Sequence, residues 1–369
     1  MTTAMRFVLL FIPIMALVAA VTVIEGTRSD NATNATPSFV PPAKAQERMQ
    51  TAEELTLALD LKTLGEAFDG EVGIAVGDTA TGVVLAYNGD ARLPQQSVSK
   101  LWVAMTALAQ VDAGELDLTE PVVIRREDLT LFYQPIREIV RTRGAFRTDY
   151  ADLLTRAITR SDNSANDRLL RRIGGPDAVQ SFLDDADIEG VRFGADERTK
   201  QSAIAGLTWN QAYSYRNRFF EARDEVPDAV RREAFERYLA NPIDGATPVG
   251  IAQALMRLAE GELLSAASTR LLLDTLEETR SGPRRLKGGV PEGWSIGHKT
   301  GTGQVFDGEQ SGYNDVGVLT APDGSNYALV AMIGRTRVSV PARMELMQQV
   351  TRAAVAFHDA KSKVSEPTS

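Results

Sequence analysis

Short apolar runs near the two ends of the chain enclose a long middle in which apolar residues recur at helical spacing. Residues 72–76 and 83–87 are apolar and flank the turn-like Asp78-Thr79-Ala80-Thr81-Gly82, a pattern that predicts a β-hairpin. Residues 315–320 and 327–333 flank Pro322-Asp323-Gly324 and predict a second. Residues 294–300 read as one more strand, and Met344, Leu346, Met347, Val350 and Ala354 place a closing helix after the second hairpin. Strands from both ends with helices between them predict an α/β (α+β) domain. Its antiparallel sheet is built from both chain ends and flanked by helices, with an all-helical subdomain over about 97–273 inserted. Residues 211–239 break the pattern: Tyr213, Tyr215, Phe219, Phe220, Phe235 and Tyr238 alternate irregularly with charges, and helical pieces in a large insertion are expected there.

Outside this domain, residues 7–24 carry no charge and follow the lone Arg6. The run is long for a signal-peptide core and at the lower limit for a membrane span. Residues 1–24 are therefore expected to export the chain, either cleaved as a signal peptide or retained as a membrane anchor through 7–24. The product would be periplasmic or held at the outer face of the inner membrane. Residues 25–48, rich in Thr, Asn, Ser, Pro and Ala, read as a flexible linker. The folded domain is expected over 49–358, followed by a charged tail over 359–369.

Composition narrows the chemistry. The formal net charge is −9 with both signs intermixed, which argues against a nucleic-acid partner. There is no cysteine, so disulfides, thiolate metal sites and a cysteine nucleophile are excluded. The two histidines, His298 and His358, cannot build a His-rich zinc site. A hydrolase made from this chain needs a base other than histidine, or one of these two. No metal and no cofactor is expected.

Ser97-Val98-Ser99-Lys100 stands at a good helix start, before Leu101-Trp102-Val103-Ala104-Met105. Residues i and i+3 share a helical face, so Ser97 and Lys100 would lie together. A serine hydroxyl is a poor nucleophile until its proton is taken, and a lysine can take it where a dry, electropositive site lowers its pKa. By itself a Ser-x-x-Lys match is common. Two further elements change that: Ser161-Asp162-Asn163 follows the helical segment 150–160, and Lys299-Thr300-Gly301 ends the strand predicted from 294.

The three elements, in this order and at these separations, resemble the penicillin-recognising serine hydrolases, and among them the class A β-lactamases. Tyr133-Gln134-Pro135, Ile173-Gly174-Gly175-Pro176, Gly261-Glu262-Leu263-Leu264 and Asn314-Asp315 extend the likeness over about residues 50–358. The resemblance implies a β-lactamase/transpeptidase-like fold with the active site between sheet and helical subdomain. It implies Ser97 as nucleophile, Lys100 as its proton partner, and Ser161 as a relay to the departing ring nitrogen. The backbone N–H groups of Ser97 and Thr302 would form the oxyanion hole. Asn163 would bind the substrate's side-chain amide and Tyr133 would stand at the rim. Lys299, Thr300 and Gly301 would receive the substrate carboxylate, with Arg343 of the closing helix assisting. His298 should point to the opposite face of its strand, and His358 should be a solvated surface residue.

Release of the acyl-enzyme is where the chain departs from the family. Read without gaps from Ser161, the family's water-activating glutamate falls on Glu197. The family writes Glu-x-x-Leu-Asn there, whereas this chain has Glu197-Arg198-Thr199-Lys200-Gln201. Gln201 could hold the water in place of the asparagine; Lys200 in place of leucine has no parallel in the pattern. The Ω-loop carrying them, about 192–248, is enlarged before it reaches Asp244-Gly245-Ala246-Thr247-Pro248. The reading is a monomeric serine hydrolase acting on a small β-lactam. A D-alanyl-D-alanine peptidase or esterase on the same scaffold, acting on a cell-wall peptide or ester and needing no Glu197, stands as the alternative.

Overall fold

The computed structural model describes residues 49–365. The expectations for residues 1–48 and 366–369 lie outside the described residues. Among those described, no helix is long and apolar enough to cross a membrane.

Helix α1 (Ala52–Ala67) opens the domain with a capping box between Thr51 and Glu54. Strands β1 (Glu71–Asp78) and β2 (Val83–Tyr87) form the first hairpin, and β3 (Leu93–Pro94) leads into helix α2 (Lys100–Asp112). The middle of the chain holds β4 (Pro121–Ile124), α3 (Ile136–Arg143), β5 (Phe146–Asp149), α4 (Tyr150–Thr159), α5 (Asn163–Arg172) and α6 (Gly175–Asp185). The insertion follows as α7 (Glu197–Ile204), α8 (Arg218–Glu225) and α9 (Asp228–Ala240), closed by β6 (Gly245–Ala246). Helices α10 (Pro248–Ala259) and α11 (Ala266–Glu277) return to the sheet, which β7 (Ser295–Thr302), β8 (Val305–Phe306), β9 (Glu309–Thr320) and β10 (Asn326–Thr336) complete before α12 (Val340–Ser365).

The sheet runs β2-β1-β10-β9-β7, every neighbour antiparallel, with β8 paired to the end of β9. Its two faces are set by strand alternation. On β10, Tyr327, Leu329, Ala331 and Ile333 meet Leu346, Met347, Val350 and Ala354 of α12 and Leu57 and Leu61 of α1. The intervening Ala328, Val330 and Met332 join the larger core made with α2, α10 and α11. Side-chain size keeps α10 close: a Cβ at Gly73 would lie 2.6 Å from Pro248, and one at Gly77 2.3 Å from the Met256 sulfur. Both hairpins, the 294–300 strand and the closing helix therefore stand where the hydrophobic pattern predicts them.

Three expectations change. The stretch 97–273 is not all-helical, because β4 and β5 pair within it. Its last helix lies with α10 on the sheet: a Cβ at Gly297 of β7 would meet Leu276 of α11 at 3.0 Å. Apolar periodicity identifies a helix but not the surface that it covers. The closing helix continues through Ser365, with Lys361 donating to Asp78 of β1, so residues 359–365 are helical rather than tail. His358 is buried against the sheet, Nδ1 3.0 Å from the Tyr327 hydroxyl and the ring edge-on to Trp294, rather than solvated.

The loop before α5 is fixed by one buried carboxylate. Asp162 caps α5 by accepting from the Ser164 and Ala165 N–H groups, and accepts the Ile136 N–H of α3 at 2.9 Å. Asp162→Ala strands three buried donors and is expected to destabilise the domain by about 3 kcal/mol in urea unfolding, with Asp162→Asn recovering part of that.

Candidate active site

Ser97 lies in a 3-10 turn (Gln96–Ser99) that runs straight into α2. The preceding Gln96 has φ 55°, and Ser161 has φ 57°, a left-handed conformation that non-glycine residues adopt at a cost. One left-handed residue precedes Ser97 and the other is Ser161, and the hydroxyls of these two serines approach Lys100. Lys100 Nζ donates to Ser97 Oγ at 2.8 Å and to Asn163 Oδ1 at 2.5 Å, and lies 3.4 Å from Ser161 Oγ. Lys299 Nζ donates to Ser161 Oγ at 3.1 Å and to the Thr300 carbonyl at 3.0 Å. The structure thus brings Ser97, Lys100, Ser161, Asn163 and Lys299 into one hydrogen-bonded set. Asn163 is held from its other end as well, Nδ2 donating to the Leu131 carbonyl.

Ser97, Ser161, Asn163, Thr300 and Thr302 line a cavity of about 770 Å³, with Glu197 and Gln201 on the side of the insertion. Tyr133 stands at its rim, 61% exposed, and its carbonyl accepts the Asn163 N–H. Gly301 contributes close approach rather than a contact group, since a Cβ there would sit 2.2 Å from the Gln95 carbonyl oxygen. His298 faces away, as expected, with Nδ1 2.9 Å from Asp315 Oδ1.

Glu197 is the first residue of α7, after the N-cap Asp196, so Lys200 and Gln201 at i+3 and i+4 share its face. Glu197 Oε1 lies 3.8 Å from Lys100 Nζ and accepts from Lys200 Nζ at 3.0 Å, while Gln201 Nε2 donates to Oε2 at 3.2 Å. Lys200 also donates to Asp244 Oδ2 at 3.1 Å, which ties the two ends of the enlarged loop together. Asp244 accepts in addition the Gln96 N–H and the Tyr238 hydroxyl. Lys200 is therefore a buried cation that clips the glutamate to the far end of the loop.

Burial alone would raise the Glu197 pKa, but Lys200 and then Lys100, with the hydrogen bonds from Lys200 and Gln201, outweigh it and hold the carboxyl at about 2. Lys100 is lowered from its ordinary value, chiefly by burial. Lys299 is lowered well below it by burial and by the neighbouring Lys100. Asp167 of α5 lies behind Glu197 and accepts its backbone N–H at 3.2 Å. Burial, with Asp196 and Glu197 beside it, pushes Asp167 up to about 7.

One assignment is corrected. Arg343 does not reach the cavity: it donates to Gln310 Oε1 and the Val338 carbonyl. A guanidinium that does line the cavity at the end of β7 is that of Arg285, which donates to Thr302 Oγ1 at 2.6 Å and to the Gly301 and Asn314 carbonyls. It precedes a 3-10 turn (Leu286–Gly289) in a loop with no motif, and nothing in the pattern singles it out. Ser281 likewise joins the site from a loop, its Oγ 2.7 Å from Thr300 Oγ1. Asp167, Tyr238 and Asp244 were also not readable as site residues, because only folding places them around Glu197.

A strand-borne lysine, a nucleophile turn and a glutamate on the loop facing them define an active-site serine hydrolase. Residues 56–358 match the model of the beta-lactamase enzyme family, and the chain belongs to that family. It is 28% identical over 297 residues to the extended-spectrum beta-lactamase PER-1 of Pseudomonas aeruginosa, covering 80% of this chain and 85% of the relative. It is likewise 28% identical to beta-lactamase L2 of Stenotrophomonas maltophilia, over 82% of this chain and 86% of the relative. Among solved structures it resembles an ancestral class A beta-lactamase at 30% identity and TM-score 0.64, covering 81% of this chain and 99% of that one. A beta-lactamase from Chitinophaga pinensis matches at 26% identity and TM-score 0.67, covering 83% and 99%.

The titration of Asp167 has a measurable consequence. The native state keeps its proton up to about pH 7, whereas an unhindered aspartate releases it near 3.8, so this group lowers stability as pH rises through that window. Asp167→Asn can still accept the Glu197 N–H but cannot ionise. In urea titrations its stability relative to the wild type is expected to rise between pH 4 and 7 and then level off. A constant difference across that range would show that Asp167 does not titrate there.

Proposed function

We propose that the chain hydrolyses β-lactams through an acyl-enzyme on Ser97. The observation that carries the reading is the Glu197 carboxylate in the cavity of the nucleophile, 3.8 Å from Lys100 Nζ. A penicillin-binding peptidase, whose β-lactam adduct persists, has no need of such a water-activating base.

In acylation, Ser97 Oγ attacks the lactam carbonyl and gives its proton to Lys100, which burial keeps from holding a full-strength ammonium. The backbone N–H groups of Ser97 and Thr302 receive the oxyanion. Ser161, bonded to both lysines, passes a proton to the ring nitrogen as the amide bond breaks. Lys299, Thr300 and Arg285 draw the substrate carboxylate to the strand end. In deacylation, Glu197 takes a proton from water, the resulting hydroxide attacks the ester, and Ser97 leaves with a proton returned through Lys100. Gln201 borders the same space and holds the carboxylate in place. The same reading places the enzyme outside the cytoplasm, carried there by residues 1–24.

Ser97→Ala is expected to lose both nitrocefin turnover and covalent labelling by a penicillin. Glu197→Gln is expected to acylate and then accumulate the adduct in mass spectra, with kcat down by about 10²–10⁴. Fast turnover unchanged in Glu197→Gln would overturn the assignment of the base.

A second measurement reads the cation beside that base. Glu197 must be ionised to act, so the acid limb of the deacylation rate should lie well below the ordinary carboxylate range. Lys200→Met removes the largest favourable charge and should move that limb upward by a pH unit or more. An unmoved limb would mean that Lys200 only braces the loop.

A further inference from the structure

The enlarged loop does more than carry Glu197. Its helix α8 is only eight residues long and presents two adjacent phenylalanines to opposite surroundings. Phe219 is 2% exposed and packs with Leu131, Ala205 and the rings of Phe132 and Tyr213. Phe220 is 40% exposed and lines the active-site cavity, as does Arg223 one turn later on the same face. The Phe220 ring is 6.0 Å from Phe132, tilted by 48°, and the Arg223 guanidinium lies 5.1 Å over it. Phe132 itself has φ 56°, so the rim loop bends to meet the insertion.

Tyr133 and Val305, 61% and 51% exposed, line the same cavity from the rim loop and from the strand after Lys299-Thr300-Gly301. Large exposed apolar side chains converging on one cavity from separate elements leave surface that only a ligand can cover. Their position is decided by neighbours: Tyr133 adjoins Asn163 through its carbonyl, and Gln304, next to Val305, donates to Gln201. This is the side of the site that Asn163 and Gln201 border. A substrate whose ring carboxylate sits at Lys299 directs its acyl side chain here.

We infer that the insertion is a wall of the substrate site, and that Phe220, set against Phe132 and Arg223, binds an aromatic acyl side chain of the β-lactam. The inference rests on the β-lactam reading above. Aromatic rings pack edge-on or offset at centroid distances of about 4.5–7 Å, and Phe220, which already packs in this way with Phe132 and with Phe219 at 5.7 Å, keeps surface exposed at the cavity for one more ring. Phe219 anchors α8 to the domain, so the wall is held independently of the ring that does the binding.

The test compares two penicillins that differ only in the acyl group, phenylacetyl against acetyl, on wild type, Phe220→Ala and Phe220→Tyr. Phe220→Ala is expected to lower kcat/KM for the phenylacetyl compound about tenfold and to change the acetyl compound by less than about twofold, with Phe220→Tyr close to wild type. An equal loss on both substrates would show that Phe220 only supports the loop, and no loss on either would show that the ring does not meet the side chain. Either result overturns the inference and leaves the hydrolase reading standing. If the wild type neither hydrolyses either penicillin nor leaves a Ser97 adduct with one, in Glu197→Gln as well as in the wild type, the β-lactam reading fails, and this inference with it.

Discussion

Burying several charged side chains in one cleft is the constraint on which the rest of this molecule depends. Lys100, Lys299, Glu197 and Lys200 are each 3% exposed or less, and Asp167 and Asp244 lie directly behind them. An isolated ion in such a place is prohibitively costly, so each must be paired or hydrogen-bonded. Lys100 has Ser97, Asn163 and Glu197, and Lys299 has Ser161 and the Thr300 carbonyl. The scaffold supplies those partners from elements far apart in sequence: α2, the loop before α5, α7 and β7. Any displacement of one element leaves a charge on another without its partner, which couples the geometry of the reaction to the stability of the fold.

Lys200 is where this chain solves the constraint in its own way. A neutral residue there would leave Asp244 without its cation and Glu197 with Lys100 alone. With lysine present, one ammonium joins the Glu197 carboxylate to the end of the loop and also reaches the Gln96 carbonyl at 3.4 Å. A loop enlarged by two helices can then keep its glutamate in place, because the ion pair closes the segment on itself. The consequence is chemical as well as structural, since a base held so firmly ionised is available at any ordinary pH but is a weak one.

The extra length between Lys200 and Asp244 has two packing surfaces. Phe235 and Tyr238 of α9 pack on Ile204, and the Tyr238 hydroxyl reaches the Asp244 carboxylate and the Gln96 amide. Phe219 of α8 packs under the 131–133 rim. The irregular aromatic pattern of residues 211–239 thus follows from a segment that must bury rings on two sides while leaving one at the cavity.

The meeting of Ser97, Lys100, the Ser161 loop and the Lys299 strand was legible in the sequence because each lies in a local motif whose spacing carries its own geometry. A turn into a helix brings Ser97 and Lys100 together whatever the rest of the chain does. The strands and the closing helix were legible for the same reason, hydrophobic period being a local property. Glu197 could be placed only by likeness to a family, and its neighbour Lys200 stood out there as a departure without a purpose. What Lys200 does, which arginine joins the carboxylate site, why Asp167 holds its proton and which surface α11 covers were decided by tertiary structure alone. Arg285 rather than Arg343 reaches the cavity because the loop before β7 folds over the strand end, while α12 turns its arginine toward Gln310. Sequence determines what is near along the chain; the pairing of buried charges is settled between segments that only folding brings into contact.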